Sequence, residues 1–140
     1  MIDLANEYGR IDDAVIRQRL VRYHSNIKVN GWLNRRIGAV RGKLTGADGS
    51  LSKMGTSRIC QESRDLAFDI IGADAMLFGV DAPMNGDIQR VGLASPGTRI
   101  GGGTDEIQLN VIGERGLGLP REPGSDQDVP YRDLKVGTQR

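Results

Sequence analysis

Three consecutive glycines, Gly101 to Gly103, run straight into Thr104, Asp105 and Glu106, and this stretch is the part of the chain best suited to meet a small molecule. Glycine tolerates positive φ and lets a ligand approach the backbone, and a threonine at the end of such a loop can cap the helix that follows. A bare helix start attracts phosphate, but two carboxylates in the first turn repel an anion and accept hydrogen bonds from hydroxyl groups. The turn therefore suits a ribose or ribityl group better than a pyrophosphate. The same residues also make a good helix start with no ligand present, and local sequence leaves both readings open.

Few other groups could do chemistry. Cys60 and His24 are the only cysteine and the only histidine, so one chain can build neither a disulfide nor a Cys/His zinc cluster, and no metal site is expected. A nucleophile and base pair would need a third orienting group beside them, so a small buried thiol and a surface imidazole are the expected identities. Nine Lys or Arg side chains lie between Arg10 and Lys43 against two Asp, with Arg17, Lys28 and Arg35 close to one line on a helix. Such a run could face phosphates, but it carries no aromatic interleaving or recognition motif, and charged residues mostly stay solvated. No nucleic-acid partner is expected.

The elements that must position the glycine loop are helical. Ile16, Leu20, Tyr23 and Ile27, then Leu33, Ile37, Val40 and Leu44, repeat at three- and four-residue steps, which predicts a helix from about Asp12 to Leu44 with Asp12 or Asp13 as its cap. Gly31 and Gly38 inside it each weaken the helix by about 1 kcal/mol relative to alanine, which suggests close approach of a second helix. A helix from about Ser50 to Ile71, capped by Ser50 or Ser52, turns Leu51, Met54, Ile59, Leu66, Ile70 and Ile71 inward and stops at Gly72. Gly79 to Asn85 reads as a loop, Asp87 to Ala94 as a short helix ended by Ser95-Pro96-Gly97, and Thr104 to about Arg115 as the last helix, with Ile107, Val111 and Ile112 on one face. From Pro120 onward the composition turns to Pro, Gly, Asp and Arg, so residues 120–140 are expected to be a mobile tail, or ordered only against another subunit.

Length and composition agree with one small all-α domain, an up-and-down helical bundle over residues 1–119. The chain has 140 residues, 38% of them hydrophobic and few of them aromatic. A formal charge of +1 gives no global attraction to nucleic acid or acidic membrane. No apolar run reaches the roughly 20 residues that span a bilayer, and the N-terminus shows no secretory pattern, so a cytoplasmic protein without a membrane role is expected.

The stretch from Ile100 to Glu122, I-G-G-G-T-D-E-I-Q-L-N-V-I-G-E-R-G-L-G-L-P-R-E, resembles the C-terminal signature of acyl-CoA dehydrogenases, especially the actinobacterial branch acting on steroid or branched acyl chains. Tyr8-Gly9-Arg10 followed by Arg17-Gln18-Arg19-Leu20 resembles the start of that family's C-terminal helical domain, and Ala67 to Gly72 resembles its aligned helix end. The resemblance covers essentially the whole chain but only the last third or so of a complete enzyme. It implies a truncated or split form, without the N-terminal helical domain and middle β-domain that help hold flavin and acyl-CoA.

The resemblance further implies FAD contacts at Thr104 and Glu106 and a contact of Gly103 with an acyl-CoA substrate. It implies no catalytic residue here. The position directly before the Gly-Thr pair, where many members carry the catalytic glutamate, is Gly102, which can move no proton. Ala5 stands where members often place an arginine that reaches a neighbour's FAD, and Asp69-Ile70-Ile71-Gly72-Ala73 replaces their Gln followed by Gly-Gly. The chain is therefore expected to be a cofactor-facing part of a homo- or hetero-oligomer, inactive alone, or else a non-catalytic helical remnant or scaffold that binds no cofactor.

Overall fold

The computed structural model describes residues 1–40, 45–121 and 129–134, and every regular element among them is helical. Helix α1 (Ile2–Glu7) leads into α2 (Ala14–Ala39), which is antiparallel to α3 (Asp48–Ile71). Three short turns, Gly72–Met76, Gly79–Asp81 and Pro83–Gly86, bring the chain to α4 (Asp87–Ala94). One turn of helix, α5 (Gly97–Ile100), precedes the glycine loop, and α6 (Asp105–Val111) follows it and widens into a π-turn at Ile112–Gly116. Helix α3 is the hub, since α1, α2, α4, α5 and α6 all pack against it.

Helix α2 starts where the sequence indicates. The Asp13 carboxylate accepts from the amides of Val15 and Ile16 at 2.9 and 3.3 Å, which satisfies two of the donors a helix start leaves free. It stops earlier than expected, because Val40 leaves the helical region at φ −91° and ψ 42°. The remainder of the predicted stripe, through Leu44, lies outside the described residues. Only Ile16 and Leu20 of that stripe are buried, whereas Ile27 remains 40% exposed. The start of α3 also differs: Ser50 and Ser52 lie inside the helix, Ala47 takes the cap position without a side-chain hydrogen bond, and Thr45 Oγ1 donates to Asp48 at 2.9 Å. Gly72 ends α3 at φ 57°, a conformation that an L side chain rarely adopts.

The core forms where α1 closes over the α2–α3 pair. Ala5, Ile16, Leu20, Leu66, Ile70 and Ile71 are buried together, with Tyr8, Tyr23, Phe68 and Ile88 packed against them. The Tyr8 hydroxyl donates to Asp74 at 3.0 Å and so ties α1 to the turn after α3. Desolvation, reinforced by that hydrogen bond, raises the Tyr8 pKa above its ordinary value.

Away from the core, polar pairs join α2 to α3. Arg19 pairs with Asp69, Asn26 donates to Glu62 at 2.7 Å, Asn30 donates to Thr56 at 3.4 Å, and Ser52 donates to Asn34 at 2.6 Å. Each step up α2 meets a step back along α3, as antiparallel helices require. Arg17, Lys28 and Arg35 of the basic run lie on exposed residues of α2.

Close helix approach occurs at other glycines than Gly31 and Gly38, beside which a Cβ would meet open space. At Gly92 of α4 a Cβ would sit 2.4 Å from Cζ of Phe68 on α3. Gly92→Ala should therefore cost about 1 kcal/mol net, overpacking of roughly 1–3 kcal/mol outweighing the gain in helix propensity, whereas Gly31→Ala should stabilise by up to about 1 kcal/mol. Urea midpoints of opposite sign for the two variants would show this. Equal midpoints would remove the close contact at Phe68.

Candidate functional site

Helix α3 carries Lys53 and Ser57 one turn apart on the face that meets α5 and α6. Both reach Asp105. Lys53 Nζ lies 2.6 Å from Asp105 Oδ1, and Ser57 Oγ donates to Asp105 Oδ2 at 3.1 Å. Arg99 Nε, from the far side of the glycine loop, donates to the same Oδ2 at 3.1 Å. Lys53 also donates to the carbonyl oxygen of Arg99 at 3.1 Å. Asp105 and Ser57 are buried, and Lys53 is nearly so.

The chemistry of Asp105 follows from these partners. The Lys53 hydrogen bond, with help from Ser57 and Arg99, lowers its pKa below the usual carboxylate value even though burial pushes the other way. The sequence pointed to two first-turn carboxylates available to ligand hydroxyls. One of them is committed to the fold instead, because both Asp105 oxygens already accept from protein donors. Glu106 remains exposed, with its side chain 74% accessible and Arg99 Nη2 3.8 Å from Oε1.

The loop has the backbone that three glycines allow. Gly102 and Gly103 have φ of 70° and 93°. Thr104 caps α6 as expected, its hydroxyl accepting from the Ile107 amide at 3.2 Å. Gln108 reaches back and donates from Nε2 to the Gly102 carbonyl at 2.7 Å. A Cβ at Gly103 would stand 2.6 Å from that same Nε2, the movable end of the Gln108 side chain, so it is chiefly the φ of 93° that favours glycine here. Gln108, Lys53 and Ser57 were not among the expected site residues. Gln108 belonged to the quoted signature, but Lys53 and Ser57 lie about 50 positions away and gave no local signal.

Gly103, Thr104 and Glu106 are thus brought to one turn. Gly102 carries no side chain and is exposed, so it supplies no proton-transfer group. Ala5 is fully buried in the core, and Asp69 pairs with Arg19. Cys60 on α3 is half-buried, whereas His24 is exposed on α2. Among the described residues no group of three His, Cys, Asp or Glu side chains could hold a metal ion, and no helix is long and apolar enough to cross a membrane.

A family model of the acyl-CoA dehydrogenase C-terminal domain matches residues 4–117. The chain belongs to the acyl-CoA dehydrogenase family. It is 32% identical over 125 residues to the acyl-CoA dehydrogenase IpdE1 of Mycolicibacterium smegmatis, covering 87% of this chain and 30% of the relative. Acyl-CoA dehydrogenase FadE26 of Mycobacterium tuberculosis is 30% identical over 118 residues, covering 79% of this chain and 30% of the relative. The chain therefore spans under a third of the length of the curated acyl-CoA dehydrogenases that it matches.

Solved structures agree in fold. A chain of the ChsE4-ChsE5 complex from Mycobacterium tuberculosis superposes with a TM-score of 0.71 at 29% identity, over 80% of this chain and 30% of that one. The Tcur3481-Tcur3483 steroid ACAD gives a TM-score of 0.77 at 23% identity, over 86% of this chain and 33% of that one. Acyl-CoA dehydrogenases use FAD, so the exposed elements of the loop can be weighed against that group. Two side-chain-free positions, a threonine hydroxyl and an accessible carboxylate suit the sugar portion of a nucleotide and would not hold a whole dinucleotide.

Proposed function

We propose that this chain is the cofactor-facing and oligomer-forming C-terminal part of an acyl-CoA dehydrogenase that removes hydrogens from the α and β carbons of an acyl-CoA thioester. The observation that carries the reading is the anchored loop from Gly101 to Thr104 in a chain matching the family's C-terminal domain over residues 4–117. In this reading Thr104 and Glu106 contact FAD, Gly103 lies beside the thioester, and bound flavin supplies the hydride acceptor. In the same reading the substrate is a steroid or branched acyl-CoA and the role lies in lipid or sterol side-chain catabolism. Assembly with another chain fits the ChsE4-ChsE5 structure, which is described as a complex.

The chain's own residues limit what it does alone. A base for the α-proton must be a carboxylate within hydrogen-bond reach of the substrate, and geometry comes before pKa. Gly102 offers none, and Asp105 is turned inward and held ionised by Lys53. The base and most of the flavin pocket then come from elsewhere in the assembly.

Flavin retention tests this. The 140 residues by themselves should retain no FAD on gel filtration, whereas a complex that also contains the rest of the flavin site should retain it. Within that complex Thr104→Val and Glu106→Gln should each weaken FAD about tenfold, the worth of one hydrogen bond to a charged or well-placed group. Full retention by both variants would refute the assignment. A second reading, a helical remnant without cofactor, is favoured by Ala5 in the core and Asp69 in its ion pair, and it predicts no flavin in any assembly.

A further inference from the structure

We infer that Lys53 is a positioning residue that fixes the glycine loop in its ligand-facing shape from outside the loop. The inference rests on the reading that this loop faces the ligand, but its central measurement needs no ligand.

Gly101 to Gly103 have no side chains to hold them, and glycine has the most backbone freedom to lose when a segment becomes ordered. Their order must come from neighbours. Gln108 ties the Gly102 carbonyl, yet it belongs to α6 and moves with that helix. Arg99 reaches Asp105, but it sits on the loop's other flank and its side chain is half exposed.

Lys53 differs from both. Its ammonium, borne by the 24-residue helix α3, donates at once to the Arg99 carbonyl before the loop and to the Asp105 carboxylate after it. One cation thus clamps the two feet of the loop against a long helix that packs into the core. Ser57, a turn further along α3, completes the seat by donating to the other Asp105 oxygen. Positioning of this kind matters because a displacement of about 1 Å in a loop that orients a reactant can cost on the order of a hundredfold in rate.

Backbone order parameters of the isolated chain give the test. In the native protein Gly102, Gly103 and Thr104 should show S² near the rigid value of about 0.85, and in Lys53→Met they should fall below about 0.6 while Leu66 and Ile70 remain rigid. Lys53→Arg, which keeps the charge and the donors, should restore the loop. Should Lys53→Met fail to fold because buried Asp105 keeps only the half-exposed Arg99 as a counter-charge, the double variant Lys53→Met with Asp105→Asn removes that charge and should loosen the loop in the same way. An unchanged loop in these variants, or a loss of order spread evenly over the core, overturns the proposal.

Flavin affinity in the assembled enzyme should drop about tenfold with Lys53→Met. If the unaltered assembly binds no FAD, the functional reading fails, while the order parameters still decide the role of Lys53.

Discussion

Replacing Leu66 with alanine should lower stability by about 3 kcal/mol, within the 2–5 kcal/mol typical of large-to-small changes in a packed core. Leu66 is 0% exposed and sits at the centre of the cluster formed by Ala5, Ile16, Leu20, Ile70 and Ile71. That cluster is small, so little surrounding structure can collapse into the space that the loss of Cγ, Cδ1 and Cδ2 would leave. A domain of this size unfolds with about 5–15 kcal/mol in total, which makes this one side chain a large share. Circular dichroism melts should show a midpoint about 10 °C lower. Val80→Ala offers the control, because Val80 is 87% exposed and should change stability by no more than about 0.5 kcal/mol. If the two variants melt together, the core is not where Leu66 places it.

Asp105→Asn should have an effect of similar size and a distinctive pH dependence. The substitution leaves the Lys53 ammonium, mostly buried, facing an amide that can no longer balance it, and losses of about 2–4 kcal/mol follow when one member of such a buried network is removed. The Asp105 pKa is lowered in the folded protein, chiefly by the Lys53 hydrogen bond. A depressed carboxylate contributes stability that is fully present above its unfolded value of about 3.9 and is lost as pH falls through the lower folded value. The difference between the native chain and Asp105→Asn should therefore be constant near neutral pH and shrink below about pH 4. Denaturant midpoints measured at a series of pH values would reveal it. A difference that persists unchanged into strong acid would mean that Asp105 is not the titrating partner of Lys53.

Local sequence carried the elements whose rules are local. Asp13 caps α2, Gly72 stops α3, α4 spans Asp87–Ala94, and Thr104 caps α6, because each depends on residues within one turn of itself. The extent of burial along α2 did not follow from its periodicity. An apolar stripe says which face can be buried, while the length that becomes buried depends on how far the neighbouring elements reach. Glycine roles were misread for a related reason: Gly31 and Gly38 looked like contact points within their helix, yet the partner side chain that makes a glycine necessary, Phe68 at Gly92, belongs to another helix.

The candidate site divides along the same line. The glycine loop, the cap and the exposed Glu106 were legible from ten consecutive residues. The fate of Asp105 was not, since a carboxylate in a first turn can face solvent or the interior, and only the fold brings Lys53 and Ser57 to it. The short helix α5 was also missed, although it is what brings Arg99 back to the loop's far end.

The side-chain pairs between α2 and α3 carry a further consequence. Apolar helix faces tolerate sliding past one another, since a leucine finds a comparable greasy neighbour a turn away. Asn26, Asn30 and Asn34 do not, because each is matched to one hydroxyl or carboxylate on the opposing helix. Slippage by a single turn would break all three pairs and re-form them only in part, because the asparagines are evenly spaced along α2 whereas Ser52, Thr56 and Glu62 are unevenly spaced along α3, so this hairpin acts as a notched ruler that fixes how far along α3 every other helix, and with them the glycine loop, is delivered.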